Sequence, residues 1–184
     1  MSDKIVSFDD ELLILVDPND KEIGYKTKDI CHDGKGMLHR AFSIFIFNEN
    51  GDLLLQKRSG EKRLWPLHWS NSCCSHPRKG ESYEFATKRR LEEELGLKTE
   101  LEFVYKFQYQ ATFDKKGSEN ELCSVYIGKS SDKPKVNEIE IAEWKFISQE
   151  DLTKQFESNP GQFTPWFKME WKRLSSEFKD KINN

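Results

Sequence analysis

The stretch GESYEFATKRRLEEELGL, residues 80–97, decides how this chain folds. Ser82 is placed to cap a helix and Gly96 to end one, with YEFATKRRLEEEL between them. Glu94 shares a helix face with Arg90 and Thr87, at i−4 and i−7. A carboxylate there could bind magnesium, which takes one or two protein carboxylates plus waters and substrate phosphates. Arg58, Lys62, Arg63, Lys79, Arg89 and Arg90 offer cations for phosphate oxygens, and the planar arginine fork suits them well. The same pattern also fits a solvated amphipathic helix laced with i,i+4 ion pairs.

Just upstream lies NSCCSHPRKGES, residues 71–82. If that segment is extended, Cys73 and Cys74 point opposite ways and only one of them faces a given pocket. Cys74 reads either as a thiol activated by a nearby histidine or metal, or as a small buried hydrophobe. The four cysteines show no CxxC spacing, which argues against a zinc ribbon, and the reducing compartment expected for this chain argues against a disulfide framework.

Working outward, the chain reads as one domain over residues 1–184, with loose ends near 1–10 and 179–184. ELLILVDPNDKEIGYK is strand, turn, strand, and residues 28–38 read as a loop. HRAFSIFIFNENGDLLLQKR reads as a hairpin around an Asn-Gly turn. Residues 59–71 form a basic, tryptophan-bearing loop. Three further strands follow the helix, in LEFVYKFQYQATF, ELCSVYIGK and EWKFIS, then a short helix from Ser148. The last helix opens with Thr164 as cap and Pro165 at its first position. Its core stripe is Phe167, Trp171, Leu174 and Phe178, which leaves Trp166 free to face a pocket. The order implies α+β, a mixed sheet between helices.

A net charge of −3 argues against a general nucleic-acid binder. ELLILV and FSIFIF are too short to span a bilayer, and the first residues lack the pattern of a signal peptide, so a cytoplasmic protein is expected. His32 and His39 flank a glycine-bearing loop, and His76 lies in the CCSHP turn. Glu119 and Glu121 fall two apart on a strand, hence on one side of it. Three imidazoles with two carboxylates suit zinc or manganese, although scattered polar residues in so charged a chain are the plain alternative. Tyr109 is either a polar tip in a pocket or an ordinary strand aromatic.

Taken together, CHDGKGMLHRAF, WSNSCCSHP, GESYEFATKRRLEEELG, SENELC and TPWF resemble the type I isopentenyl-diphosphate isomerases, a branch of the Nudix fold, over about residues 11–170. Aligned on Gly96, the Nudix pattern G-x5-E-x7-R-E-U-x-E-E-x-G-U falls on Ser75, Glu81, Arg89, Arg90, Leu91, Glu93, Glu94, Gly96 and Leu97. Ser75 replaces the first glycine and Arg90 the first glutamate of the core. That exchange turns a metal ligand into a cation, which suits gripping a diphosphate without cleaving it.

The resemblance implies a Nudix fold and a reaction that moves a double bond by one carbon, between isopentenyl and dimethylallyl diphosphate. It implies one Mn2+ or Zn2+ (or Mg2+) held by His32, His39, His76, Glu119 and Glu121. It implies Mg2+ on the substrate diphosphate, held by Glu94 and the Cys74 carbonyl. It makes Cys74 and Glu121 the acid–base pair, with Glu121 donating, assisted by Tyr109, and Cys74 accepting as thiolate. Lys28, Arg58, Lys62 and Arg90 match diphosphate contacts, and Trp166 matches a pocket aromatic facing the carbocation. Trp65, Trp69 and the last helix are expected to shield the site. The partner implied is a small isoprenoid diphosphate, with no nucleic acid or membrane, and a monomer is expected.

Overall fold

FSIFIF, residues 42–47, is apolar at every position except Ser43 because the structure covers both of its faces. In this computed structural model, which describes residues 4–183, the run belongs to strand β3 (His39–Phe47). Ala41, Phe45 and Phe47 pack with Phe167, Trp171 and Leu174 of helix α4 (Pro165–Glu177). Phe42, Ile44 and Ile46 pack on the other side with Ala86, Leu91 and Leu95 of helix α2 (Tyr83–Leu95). A strand sandwiched in this way has no need of polar alternation. Each such side chain, fully buried, contributes about 1.5–3 kcal/mol.

The sheet is mixed. Strand β8 (Gly117–Lys129) runs parallel to β3, pairing His39 with Glu121 through to Phe47 with Lys129. Strand β7 (Leu101–Phe113) lies antiparallel on the far side of β8. The other edge of β3 is shared by three strands in turn. Leu15 of β1 (Leu12–Val16) meets His39, β6 (Cys73–Ser75) covers Phe42 to Ile44, and Leu53 of β4 (Leu53–Arg58) meets Phe47. Strand β2 (Glu22–Thr27) pairs with β1, and β4 carries β9 (Ile141–Ile147) and β5 (Trp69–Ser70).

The expected β3–β4 hairpin is therefore a turn without a ladder. Gly51 (φ 78°) and the Asn48 side chain, which accepts from the amides of Asn50 and Asp52, build the turn as read. The strands then part after the single pair Phe47–Leu53, since β6 and β8 hold the edges of β3. The 28–38 segment likewise differs from a plain loop. It opens with a short helix, α1 (Lys28–Cys31), before its glycine turns.

Helix α2 has the ends that were read. Ser82 accepts from the Phe85 amide, and Gly96 is left-handed at φ 65°. Helix α3 (Gln149–Ser158) is capped by Ser148. Thr164 precedes α4 at the capping position but its hydroxyl makes no cap bond, pairing instead with Ser70 Oγ at 3.0 Å. Of the termini expected to be loose, residues 1–3 and 184 lie outside the described residues. Val6 O accepts from Arg90 and Arg78, and Lys179–Asn183 form helix α5.

One glycine locks the His32 loop to the sheet. Gly117 (φ 143°) starts β8, and a Cβ there would collide with the carbonyl of His32, to which the Ser118 amide donates at 2.9 Å. Gly117→Ala is expected to destabilise the fold by more than about 1 kcal/mol and to weaken metal binding through His32. Urea unfolding and a metal titration on the variant check both effects.

Candidate active site

The β3–β8 register builds the centre of the site. His39 is the first residue of β3 and sits directly opposite Glu121. Glu119 lies two positions earlier on β8, on the same face. His32 follows α1, and His76 follows β6, whose pairing to β3 aims it the same way. The three ring centroids lie 4.9, 5.3 and 4.9 Å apart. One ligand atom from each of His32, His39, His76, Glu119 and Glu121 falls within 4.8 Å of all the others, and all five residues are buried.

The donor set fits a divalent cation. His39 donates Nδ1–H to Met37 O at 2.7 Å, which leaves a bare lone pair on Nε2; that buried atom has no hydrogen-bond partner among the described residues. His32 does the same, with Nδ1 2.7 Å from Lys28 O, yet its Nε2 faces Glu119 Oε2 at 2.8 Å. A lone pair facing a carboxylate is repulsive unless a proton or a metal lies between them. Burial pulls the His32 imidazole down, but Glu119 outweighs it and holds the ring above its ordinary value. Burial and the neighbouring imidazoles His39 and His32 keep His76 well below its ordinary value, so it is neutral and ready to ligate. Burial favours a protonated Glu121, yet contacts from His39, Glu119 and Tyr109 bring its carboxyl down to about 2. Tyr109 donates to Glu121 Oε2 at 2.7 Å.

Cys74 lies across β3 from Glu121. It pairs with Ser43 on one edge while Glu121 pairs with His39 on the other, four positions away, roughly 13 Å along the strand. Both side chains line one cavity of about 520 Å³, together with Tyr109, Trp166, Leu64, Lys28, Lys62, Arg58 and Arg90. Cys74 Sγ–H donates to Asn71 Oδ1 at 2.8 Å, and Trp166 Nε1–H points to the sulfur at 3.2 Å. Asn71 is pinned by its amide to Ile44 O and Cys73 O. Burial and the nearby Glu170 push the Cys74 thiol up to about 12, which favours the neutral thiol in the absence of substrate. Cys73 faces the opposite way, into the cluster under α2, as the extended reading requires.

One end of the cavity is cationic. Lys28, Lys62 and Arg90 line it, and burial plus repulsion from Lys62 lower Lys28. Arg90 is clamped to Glu94 through Nε at 3.0 Å and through Nη2, and reaches Glu140 at 3.4 Å. Glu94 is buried behind Arg90 and is not part of the cavity wall; Glu140, ion-paired to Lys62, is one of the wall carboxylates. Arg58 lines the cavity and donates to Trp65 O and Leu64 O, lying 5.3 Å from the Trp166 ring centre. Trp65 packs edge-on against Trp166, whereas Trp69 sits between Lys57 and Lys145, away from the cavity.

Sequence reasoning passed over Glu140, Glu170, Asn71 and Ser70. The last two stand inside the quoted WSNSCCSHP, but nothing local marks them as partners of Cys74. Glu170 lies on α4 one turn beyond Trp166, fully buried. Its Oε1 receives Cys123 Sγ–H at 3.5 Å, and its Oε2 has no hydrogen-bond partner among the described residues. Burial pushes its carboxyl up to about 8.

This fold and site define a Nudix domain. The NUDIX domain family model matches residues 37–167. A crystal structure of DR0079 from Deinococcus radiodurans superposes with a TM-score of 0.67 at 23% identity, over 81% of this chain and 90% of that one. Among curated proteins, isopentenyl-diphosphate Delta-isomerase 1 of Photorhabdus laumondii is 41% identical over 94% of this chain and 99% of its own length. The isopentenyl-diphosphate Delta-isomerase of Serratia proteamaculans is 45% identical over 86% of this chain and 88% of its own. The chain belongs to the type I isopentenyl-diphosphate isomerases of the Nudix superfamily.

Two outcomes are expected. A divalent metal at 100 times its Kd stabilises the protein by about 2.7 kcal/mol, read as a rise in melting temperature, and His39→Ala removes that rise. Glu170 has a folded value above its unfolded one, so its contribution is complete below the ordinary carboxylate range and is lost as pH rises toward 8. Unfolding free energy at about pH 5 and about pH 8 is expected to differ between wild type and Glu170→Gln, the wild type losing up to about 1.4 kcal/mol more per pH unit.

Proposed function

We infer that this protein interconverts isopentenyl diphosphate and dimethylallyl diphosphate by moving one proton on and another off the hydrocarbon. The observation that carries the reading is a single cavity lined by a neutral thiol, the carboxylate of a five-ligand metal cluster, an indole and a set of cations. Arg90 stands where the Nudix pattern places a catalytic carboxylate, and its pairing with Glu94 supports a diphosphate that is gripped and left intact.

Lys28, Lys62 and Arg90 receive the diphosphate. With Arg90 engaged by the diphosphate, the Glu94 carboxylate and the Cys74 carbonyl would be the groups to hold a magnesium ion carried by the substrate. His32, His39, His76, Glu119 and Glu121 would hold manganese, zinc or magnesium. When bound there, a divalent cation neutralises the carboxylates and makes a protonated Glu121 a stronger acid.

Glu121, assisted by Tyr109, delivers a proton to the terminal alkene carbon of isopentenyl diphosphate. Positive charge appears at C3, against the face of Trp166, where cation–π attraction is worth about 0.5–2 kcal/mol. Cys74 removes the proton from C2 and the new double bond forms. That turnover starts from acid and thiolate and ends at carboxylate and thiol. The resting protein already holds the second state, with Glu121 brought down and Cys74 pushed up. The reverse direction starts from carboxylate and thiol, so the two directions use the same pair with roles exchanged.

All these groups come from one chain, so the reading requires no second copy. Four free thiols fit a reducing cytoplasm. No helix of the described residues is long and apolar enough to cross a membrane.

In deuterated water with isopentenyl diphosphate and metal, wild type is expected to incorporate deuterium. Cys74→Ser and Glu121→Gln are expected to fold and to lose about 10³-fold or more of the rate. Near wild-type exchange in either variant removes that residue from the chemistry. Rapid release of phosphate from nucleoside diphosphate derivatives would instead make the protein a hydrolase.

A further inference from the structure

Next to Leu64, which lines the cavity, the backbone enters a rarely populated conformation. Trp65 (φ 45°) and Leu67 (φ 59°) flank Pro66 in the left-handed region, which residues with large side chains seldom enter. Such a conformation persists only where its surroundings over-determine it. Arg58 does so here. Its main chain brackets the turn: Leu67 N donates to Arg58 O at 3.1 Å, and Arg58 N donates to His68 O at 2.9 Å. Its guanidinium donates Nε–H to Trp65 O at 3.1 Å and Nη2–H to Leu64 O at 3.0 Å. The same guanidinium lies over the Trp166 ring. His68 Nδ1 adds a contact to Pro66 O at 2.9 Å.

The clamp fixes what stands in the slot. Trp65 meets Trp166 edge-on, with ring centroids 5.3 Å apart at 90°, and packs on Phe113 at 5.1 Å. Leu64, only 4% exposed, joins Trp65, Tyr109 and Trp166 in one core cluster and lines the cavity beside Tyr109 and Trp166. Its neighbours on both sides are held, so it has little room to swing aside.

We propose that Leu64, held in place by the turn that Arg58 clamps, is the end wall of the hydrocarbon slot and limits the substrate to a branched five-carbon unit. The identity of the hydrocarbon rests on the isomerase reading; the existence of the wall does not. Arg58 acts in this assignment as a positioning residue for the wall, which is why its fork is turned toward carbonyls and an indole. A rigid apolar wall discriminates against one additional methylene by roughly 10–200-fold.

The test compares isopentenyl diphosphate with its homologue bearing ethyl in place of methyl at C3. In Leu64→Ala the ratio of kcat/KM, homologue over parent, is expected to rise about tenfold or more above wild type. Leu64→Val, a smaller truncation, is expected to fall between the two and serves if the alanine variant does not fold. A ratio within about twofold of wild type in the folded variants overturns the proposal. The corresponding saturated alkyl diphosphates, titrated by calorimetry, give the same comparison without turnover. If wild type isomerises neither substrate, the isomerase reading fails, while the calorimetric ratio still decides whether Leu64 is the wall.

Discussion

The parallel pairing of β3 with β8 is the constraint on which the rest of this structure depends. It sets His39 against Glu121 and so brings one strand's first residue to a carboxylate more than 80 positions away in the chain. A parallel pair needs a long crossover, and here the crossover includes β4, β6, α2 and β7. Several of the groups the site requires are delivered along that path. The β6 segment returns to the free edge of β3 with Cys74 and His76, and α2 covers the opposite face with Arg90 and Glu94. A slip of one residue in the register would turn Glu119 and Glu121 away from the histidines.

Electrostatics then divides the cavity. At one pole Lys28, Lys62 and Arg90 gather, and the lowered Lys28 marks a place where another anion would be welcome. In the middle, histidines and carboxylates crowd together with lone pairs converging, an arrangement that is repulsive without a cation or a trapped proton. At the apolar pole, water is displaced by Trp166, Tyr109 and Leu64. Behind Cys74, Glu170 accepts from Cys123 through Oε1, and burial pushes its carboxyl up toward the protonated form. A thiol pushed up and a carboxyl brought down, on opposite edges of one strand, follow from these different surroundings and not from the residue types themselves.

Much of this was legible along the chain. The caps of α2 and α3, the Asn-Gly turn and the strand spans rest on short-range rules, and they appear where Ser82, Gly96, Ser148 and Gly51 place them. The opposed orientation of Cys73 and Cys74 follows from strand geometry alone. The hairpin reading of β3 and β4 was half right: its turn chemistry is local, whereas the choice of strand partner is not. Thr164 shows the same limit, a residue of capping type whose hydroxyl is taken by Ser70 from a distant segment.

By itself the sequence determined where the long helices and most of the strands run, which residue types a metal and a diphosphate could use, and that Arg90 replaces a carboxylate in the Nudix pattern. These follow from periodicities of 2 and 3.6 and from side-chain chemistry, which need no knowledge of distant neighbours. Only the tertiary structure decided that five ligands converge, that Arg90 holds Glu94 off the cavity wall, that Arg58 clamps a left-handed turn, and that Glu170 is buried without a cation. Each of those depends on partners remote in the chain. The ionisation and aim of a side chain are set by what surrounds it once the chain has closed.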